Sequence, residues 1–257
     1  MSTVLVSLTD ATVHLKLNRP ERLNAVNEAL YGRLLSELAA ADRDPATRSV
    51  VLSGVGRAFC VGADLQAHSE GTRTRQDQAH YLDLAQQVCR QIQTMSTPVV
   101  AAVHGYALGA GAEMAVSADF LVMADDALMG FPEVGLGTFV GGGVTHRLPR
   151  LVGLRRATDL LMLGERFTGT QAYDWGLTFA TVPADDVAAA ADRLAATLAT
   201  KAPLSIGRMK SMLRLDPTLD VALSSEPTHL LDLMQTRDWA EGVAAFAERR
   251  TPVFQGE

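Results

Sequence analysis

A chain of 257 residues, 47% of them hydrophobic, is long enough to bury a large core, either as one domain with an appendage or as two small domains. Its formal net charge of -6 gives no basic surface for nucleic acid or for an anionic membrane, so we expect neither as a partner. Cys60 and Cys89 form no C-x-x-C motif, and the first residues lack a signal-peptide pattern, which predicts a reduced, cytoplasmic setting.

The N-terminal part of the chain predicts strands that alternate with a helix. Residues 4–8 and 13–17 alternate apolar and polar side chains with the period of two that paired strands show, so we predict a hairpin. Asn27 can cap the helix that follows. The leucines of that helix fall on one face: Leu30, Leu34, Leu35 and Leu38. Residues 50–53 are then typical of a buried strand.

The middle of the chain continues this alternation. Residues 76–95 repeat apolar side chains at helical spacing, and Pro98 stops the helix. Residues 99–103 return to the sheet, and a short helix over residues 110–117 leads into a strand over residues 120–123.

The apolar stretch over residues 98–123 is about as long as a membrane span. Five residues interrupt it: Gly105, Gly109, Gly111, Glu113 and Asp119. Because a spanning helix needs an almost unbroken apolar run, we expect no membrane helix here.

Beyond about Pro183 the sequence predicts almost only helix. Thr170 and Thr236 are predicted N-caps, and residues 188–200 are predicted to form an alanine-rich helix. Residues 219–234 carry more apolar surface than an exposed tail normally shows: Leu219, Leu223, Leu230, Leu231 and Met234. This surface either packs onto the parent core or forms a subunit interface, and the pattern leaves both possibilities open.

Two glutamates stand in improbable surroundings. Glu113 lies in the small-residue run GAGAEMAV, residues 109–116, and Glu133 lies in GFPEVG, residues 130–135. An isolated buried charge is costly, so such a carboxylate is paired, protonated or used in chemistry. The sequence therefore marks both glutamates as candidate functional residues.

Two glycine-rich turns follow predicted strands. One covers residues 54–65 and the other residues 105–111, and the second opens a helix. Backbone N–H groups at such a turn, above all at a helix N-terminus, can hold a partial negative charge. Together, the two turns can hold one oxyanion. Alone, each more commonly reflects close packing.

Ordered motifs along the whole chain resemble those of the enoyl-CoA hydratase/isomerase family, also called crotonases. The N-terminal motifs are LNRP (residues 17–20), LNA (23–25), RAFCVGADL (57–65) and AAVHGYALGAGAE (101–113). The later ones are FPEVGLG (131–137), GGG (141–143), RL (147–148), AYDWGL (172–177), EGVAAF (241–246) and RR (249–250).

The resemblance implies an α/β fold in which β-β-α units wind into a crotonase-like spiral. Residues 1–200 would form this core and carry the CoA-thioester site, and residues 201–257 would form a C-terminal helical segment used in trimerisation. A homotrimer, or a homohexamer made of two trimers, is the implied assembly.

The resemblance also implies roles for individual residues. Glu113 and Glu133 would be the catalytic acids, the N–H groups of Ala63 and Ala110 would form the oxyanion hole, and the N–H of Gly141 would help to position water. The implied contacts to substrate and CoA are Arg22, Ala25, Ala63, Asp64, Leu65 and Gln66. The substrate would be an acyl-CoA thioester, with CoA as part of the substrate and no separate cofactor.

The implied reaction is addition of water to a 2-enoyl-CoA. Negative charge would develop on the thioester oxygen, where two fixed donors stabilise it by about 3 kcal/mol each. One carboxylate would take a proton from water while the other protonates the carbon beside the thioester. Both acidic positions are filled here, as in hydratases of the family, whereas its isomerases commonly keep only the second.

Three positions depart from the common hydratase pattern. Ala110 replaces the middle glycine of a triple-glycine run, Val140 replaces a frequent proline, and Phe131 replaces a residue that is often polar. These changes affect substrate choice more than reaction class. The alternatives are an enoyl-CoA double-bond isomerase, another crotonase acting on an unusual acyl-CoA, and a non-catalytic acyl-CoA binding protein.

Metal binding has little support in the sequence. The six histidines are scattered, with no H-E-x-x-H and no Cys/His cluster. His104 is expected to be a satisfied core residue, and His146 is expected on a helix surface. We therefore expect no metal.

Overall fold

The computed structural model describes residues 2–65 and 73–257. The described residues form nine strands: β1 Val4–Thr9, β2 Thr12–Leu17, β3 Ser49–Gly54, β4 Val99–Val103, β5 Tyr106–Leu108, β6 Phe120–Ala124, β7 Leu128–Gly130, β8 Phe167–Thr168 and β9 Ala180–Val182. Their principal helices are α1 Glu28–Arg43, α2 Arg75–Thr94, α3 Ala110–Ser117, α4 Val144–Val152, α5 Leu154–Leu163, α6 Gly169–Asp174, α7 Val187–Ala199, α8 Pro203–Leu215, α9 Leu219–Met234 and α10 Arg237–Glu248.

The strands form two sheets. The larger sheet has the order β1-β2-β3-β4-β6-β9, in which only β1 and β2 run antiparallel. The smaller sheet has the order β5-β7-β8. The residues of β4 are all buried, as expected of a central parallel strand covered on both faces, whereas only Val4 of edge strand β1 is buried. The hairpin and the central strands are thus confirmed.

The chain passes repeatedly from one sheet to the other. β4 in the larger sheet is followed by β5 in the smaller one and then by α3, and β6 and β7 repeat the same step. Isolated parallel bridges, Cys60 with Ala107 and Val26 with Ala63, extend the smaller sheet towards the N-terminal part of the chain. The predicted α/β fold, with β-β-α units wound into a spiral, is confirmed.

Local capping explains where several helices begin. Asn27 accepts a hydrogen bond from the N–H of Leu30 at 3.0 Å, as predicted for α1. Thr236 accepts one from the N–H of Trp239 at 3.1 Å at the start of α10, which is also as predicted.

The prediction that Thr170 is an N-cap was wrong. Thr168 caps α6, because its hydroxyl accepts from the N–H of Gln171 while the side chain of Gln171 accepts from the N–H of Thr168. This reciprocal capping box satisfies two backbone donors at once, and Thr170 has no Glu or Gln three residues later to offer the same.

Three helices, α8, α9 and α10, follow residue 200. A buried lysine joins the first of them to the core: the Nζ of Lys210 donates to the carbonyls of Ile92 and Thr97 and lies 2.6 Å from the carboxylate of Asp119. α9 buries none of its side chains, and most of its apolar residues are exposed. In the described part of the chain, no helix combines the length and the apolar character of a membrane span.

Candidate active site

The two glutamates singled out by the sequence lie close together inside the protein. Glu113 is in the first turn of α3, and Glu133 is in the 3-10 turn Pro132–Leu136 that follows β7. Both side chains belong to buried residues, at 7% and 8% exposure. Burial raises the pKa of Glu113 to about 7, and Glu133 raises it further whenever Glu133 is ionised. Burial likewise raises the pKa of Glu133.

Glu113 has a fixed hydrogen-bond donor. The N–H of Gly141 donates to its Oε1 atom at 2.6 Å, and this bond works against the effect of burial by stabilising the ionised form. Gly141 is the residue predicted to help position water. The structure places its N–H on the carboxylate itself, so Gly141 orients Glu113 directly.

Glu133 differs in having an unsatisfied oxygen. Within residues 2–65 and 73–257, its buried Oε2 atom has no hydrogen-bond partner. A carboxylate in this condition favours the protonated form, because protonation removes the cost of an uncompensated buried charge. Each carboxyl group has a backbone donor that favours ionisation, Gly141 for Glu113 and its own N–H for Glu133, and the two differ in the unpartnered Oε2 of Glu133.

The two glycine turns meet beside Glu133. The N–H of Cys60 donates to Tyr106 and the N–H of Leu108 donates to Cys60, so the segment after β3 lies alongside β5. A side chain on Gly109 would place its Cβ 3.0 Å from the Oε1 of Glu133 and 3.9 Å from the Cα of Gly62. Gly62 and Gly109 both have positive φ, at 96° and 52°, so glycine suits each turn for conformation as well as space.

Two backbone N–H groups lie beside this junction, those of Ala63 and Ala110. Ala110 is the first residue of α3, where an N–H has no partner within the helix. Its nitrogen lies 3.6 Å from the point that a Cβ on Gly62 would occupy. Gly62 directly precedes Ala63, so Ala110 lies near Ala63 as well. Neither the N–H of Ala63 nor that of Ala110 donates to an acceptor in the part of the chain that the structure describes. Such an arrangement can receive one partly charged oxygen.

The residues predicted to contact CoA have mixed environments. Ala25 is buried one residue before the bridge that joins Val26 to Ala63, while Arg22 and Leu65 are exposed. The carboxylate of Asp64 is buried and lies 2.9 Å from the guanidinium of Arg19. Gln66 falls outside the described residues.

Arg19 and Asn24 support this region, a role that the sequence did not reveal. Asn24 is fully buried with a φ of 58°. Its side chain donates to the carbonyls of Val55 and Ala58 and accepts from the N–H of Arg19. Arg19 belongs to the motif LNRP and Asn24 to the motif LNA. The motifs therefore identified both residues, but they did not indicate that these residues hold the turn after β3.

His104 is half-buried and not, as expected, part of the core, and its Nε2 donates a hydrogen bond to the carbonyl of Gly56 at 2.8 Å. It therefore ties the two glycine turns together at their bases. His146 is exposed on α4, as predicted. Among the described residues, no group of three or more His, Cys, Asp or Glu side chains could hold a metal ion.

Comparison with known proteins gives a consistent result along the whole chain. The model of the enoyl-CoA hydratase/isomerase family matches residues 8–257. The chain is 38% identical to a 2,3-dehydroadipyl-CoA hydratase and 34% identical to a 1,2-epoxyphenylacetyl-CoA isomerase, both from Escherichia coli K12, with 100% of each chain covered. The crystal structure of an enoyl-CoA hydratase from Bacillus anthracis matches with a TM-score of 0.95 and 31% identity, covering 99% of this chain and 100% of that one.

Proposed function

Since this chain belongs to the enoyl-CoA hydratase/isomerase family, we propose that it is an enoyl-CoA hydratase, which adds water to a 2-enoyl-CoA thioester to give the 3-hydroxyacyl-CoA. The observation that carries the proposal is the pair of buried carboxyl groups in unlike environments, Glu113 with a backbone donor and Glu133 with an unsatisfied oxygen. Hydration needs one group to accept a proton and one to give a proton, and this pair offers both.

The thioester carbonyl would lie at the junction of the two glycine turns. The N–H groups of Ala63 and Ala110 would donate to its oxygen, which gains negative charge as water adds. Preorganised donors of this kind stabilise the transition state by about 3 kcal/mol each. Since Glu133 lies against Gly109, next to this junction, it is the closer of the two glutamates to the carbon beside the carbonyl.

We assign the two proton transfers on this basis. Glu113, ionised, takes a proton from water as the water oxygen bonds to the β-carbon. The electrons of the double bond move towards the thioester oxygen, and protonated Glu133 gives its proton to the α-carbon. Both groups act from one face, which gives syn addition. After product release, Glu113 holds a proton and Glu133 does not, so one proton must move between them or through water before the next turnover.

CoA would extend away from the two turns. The backbone of residues 63–66 would follow the thioester arm, and Ala25 and Arg22 would lie towards the nucleotide, with Arg22 offering a positive charge to a phosphate. CoA is part of the substrate in this account, and the reaction draws on no separate cofactor. A cytoplasmic location accords with this chemistry.

A trimer, or a hexamer made of two trimers, is the assembly that we propose. Its support is the exposed apolar surface of the last three helices, where Leu213, Leu219, Leu230 and Phe246 are between 59% and 88% exposed. Patches of this kind usually mark protein contacts. Light scattering on the purified chain tests the assembly, and a monomer at micromolar concentration would contradict it.

Double-bond isomerisation is the second candidate, because the family that matches includes enoyl-CoA isomerases as well as hydratases. Assays of the purified chain with 2-enoyl-CoA and 3-enoyl-CoA esters of increasing length separate the two. We expect hydration of the 2-enoyl esters. Conversion of the 3-enoyl esters without hydration would favour the isomerase, and tight ester binding without any turnover would indicate a binding protein.

A further inference from the structure

Helix α2 lies directly on the glycine loop that holds Glu113. Three consecutive glycines face three residues of α2 at helical spacing: a Cβ on Gly141 would lie 3.4 Å from the Nε2 of Gln86, one on Gly142 would lie 2.9 Å from the Sγ of Cys89, and one on Gly143 would lie 3.9 Å from the Nε2 of Gln93. Residues 86, 89 and 93 share one face of a helix. The distance to Cys89 leaves no room for a side chain on Gly142, whereas the distances from α2 at Gly141 and Gly143 are those of ordinary van der Waals contact.

Gln93 makes the polar connection across this contact. Its Nε2 donates to the carbonyl of Gly142 at 2.9 Å and to the hydroxyl of Ser117 at 3.1 Å. The hydroxyl of Ser117 in turn donates to the carbonyl of Glu113 at 2.8 Å. One side-chain amide thus links the loop on one side to α3, the helix that carries Glu113, on the other.

Backbone donors already hold two of the three carbonyls of this loop: the N–H of Val144 donates to Gly141, and the N–H groups of His146 and Arg147 donate to Gly143. The carbonyl between them, that of Gly142, is the one that Gln93 holds. Gly142 and Gly143 have φ values of 62° and 74°. Glycine adopts this left-handed conformation without strain, but it also adopts other conformations without strain, so the glycines alone do not fix the loop. The Gly141 N–H meets Glu113 only while this conformation is kept.

The N–H of Gly141 and the carbonyl of Gly142 belong to different peptide planes, on either side of the plane between Gly141 and Gly142. The N–H of Val144 holds that middle plane through the Gly141 carbonyl, and Gln93 holds the plane after it, so the two bonds together restrict the backbone of the loop and the direction of the Gly141 N–H.

We propose that Gln93 is a positioning residue that holds the glycine loop so that the N–H of Gly141 stays on the carboxylate of Glu113. Gln93 does not touch the reacting atoms in this account and acts through Gly142 and Gly141. The catalytic consequence rests on the proposed hydratase function, whereas the structural claim does not.

The electrostatic surroundings of Glu113 define what the test must keep constant. The ionisable groups that interact with it come from α1, from α2, from the segment after β3 and from the turn after β7: Tyr31, Tyr81, Cys89, Cys60 and Glu133. Each of these groups is neutral or negative, so none of them replaces the hydrogen bond from Gly141 in stabilising the ionised form of Glu113.

Gln93→Met tests the proposal, because methionine fills a similar volume without donating. Carbon-13 NMR of the glutamate carboxyl groups in the free protein, with the Glu113 signal assigned by its loss in Glu113→Gln, measures the pKa of Glu113 directly. Loss of the Gly141 bond should raise that pKa by about one unit, since it removes stabilisation of the carboxylate. Gln91→Met is the matched control, since Gln91 lies on the same helix and its side chain makes no hydrogen bond to the described residues.

Two further measurements complete the test. Gln93→Asn keeps an amide but is one methylene too short to reach Gly142. It should therefore also raise the pKa of Glu113, and it provides the test if the methionine variant does not fold. In the hydration assay, Gln93→Met should lower kcat by about tenfold with little change in KM, and should move the acid limb of the rate profile to higher pH.

An unchanged pKa of Glu113 in the folded Gln93 variants would overturn the proposal, as would an equal shift in Gln91→Met. Because the NMR titration needs no substrate, it remains decisive if the wild-type chain hydrates no enoyl-CoA. A wild-type chain that hydrates no enoyl-CoA would count against the proposed hydratase function but not against the positioning role of Gln93.

Discussion

Glu113 is subject to two opposing effects at the scale of single residues. Burial raises its pKa from an ordinary 4.5 to about 7, and the Gly141 hydrogen bond limits the rise. A carboxyl group whose pKa is higher in the folded state than in the unfolded state is ionised at a cost. Folding stability should therefore fall as the pH rises from about 4.5 to about 7.

Glu113→Gln removes this cost. Relative to wild type, the variant should gain stability between about pH 5 and about pH 8, by up to about 3 kcal/mol, the equivalent of the pKa shift. Urea unfolding at the two pH values measures the difference. Glu226→Gln, at an exposed position on α9, is the matched loss of one carboxylate. If the stability of both variants had the same pH dependence as that of wild type, the folded protein would not ionise Glu113 at a cost.

Some residues of the candidate site could be predicted from the sequence because their signals are local. A charged residue inside an apolar run marks Glu113, and glycines directly after strands mark the two turns. The contacts that complete the site are not local. Asp64 meets Arg19 across 45 positions, and Gln93 meets Gly142 across 49, so neither pair produces a pattern in any short window.

At the scale of secondary-structure elements, two helical glycines should respond oppositely to the same substitution. A Cβ on Gly32 in α1 would meet nothing within 4 Å, whereas one on Gly111 in α3 would lie 2.2 Å from the carbonyl oxygen of Cys60. Gly32→Ala should stabilise the protein by about 0.5–1 kcal/mol, because alanine is the better helix former. Gly111→Ala should destabilise it by about 1–3 kcal/mol, because the backbone after β3 must move.

Thermal or urea unfolding of the two variants checks this pair. Equal effects in the two helices would mean that α3 does not pack as closely against the segment after β3 as the structure indicates. Gly111→Ala should also weaken binding of CoA esters, since the displaced segment leads directly to Gly62 and Ala63, whereas Gly32→Ala should leave binding unchanged.

The limits of the elements could be predicted well where the sequence carries explicit capping or breaking residues. Asn27 and Pro98 identify the start of α1 and the stop after α2. At α6 the prediction of Thr170 was wrong because the cap depends on Gln171, which lies three residues after Thr168. The smaller sheet was not anticipated as a separate layer, because its strands have only two or three residues each.

At the scale of the whole molecule, one buried ion pair joins the last three helices to the core. Lys210 of α8 is 8% exposed and bonds to Asp119 and to two carbonyls that lie more than 100 positions away along the chain. Removing one partner of such a pair leaves a buried charge without compensation. We expect Lys210→Met to lower the free energy of unfolding by about 3 kcal/mol.

The exposed Lys201 provides the control for this change. Lys201→Met removes the same charge without breaking a buried pair and should alter stability by less than about 0.5 kcal/mol. Urea unfolding compares the two. Similar small effects would show that α8 is not anchored through Lys210. The sequence alone predicted helices in this region but not their attachment, because Asp119 and Lys210 lie 91 positions apart.

The most direct test of the central claim is hydration of 2-enoyl-CoA esters by wild type, Glu113→Gln and Glu133→Gln, with binding of the same esters measured by calorimetry. We expect wild type to hydrate at least one ester of a chain-length series. Each variant should lose at least about 100-fold in kcat while binding the ester within a few-fold of wild type. Hydration that survives either substitution, or a wild type that binds the esters without hydrating any, would contradict the central claim.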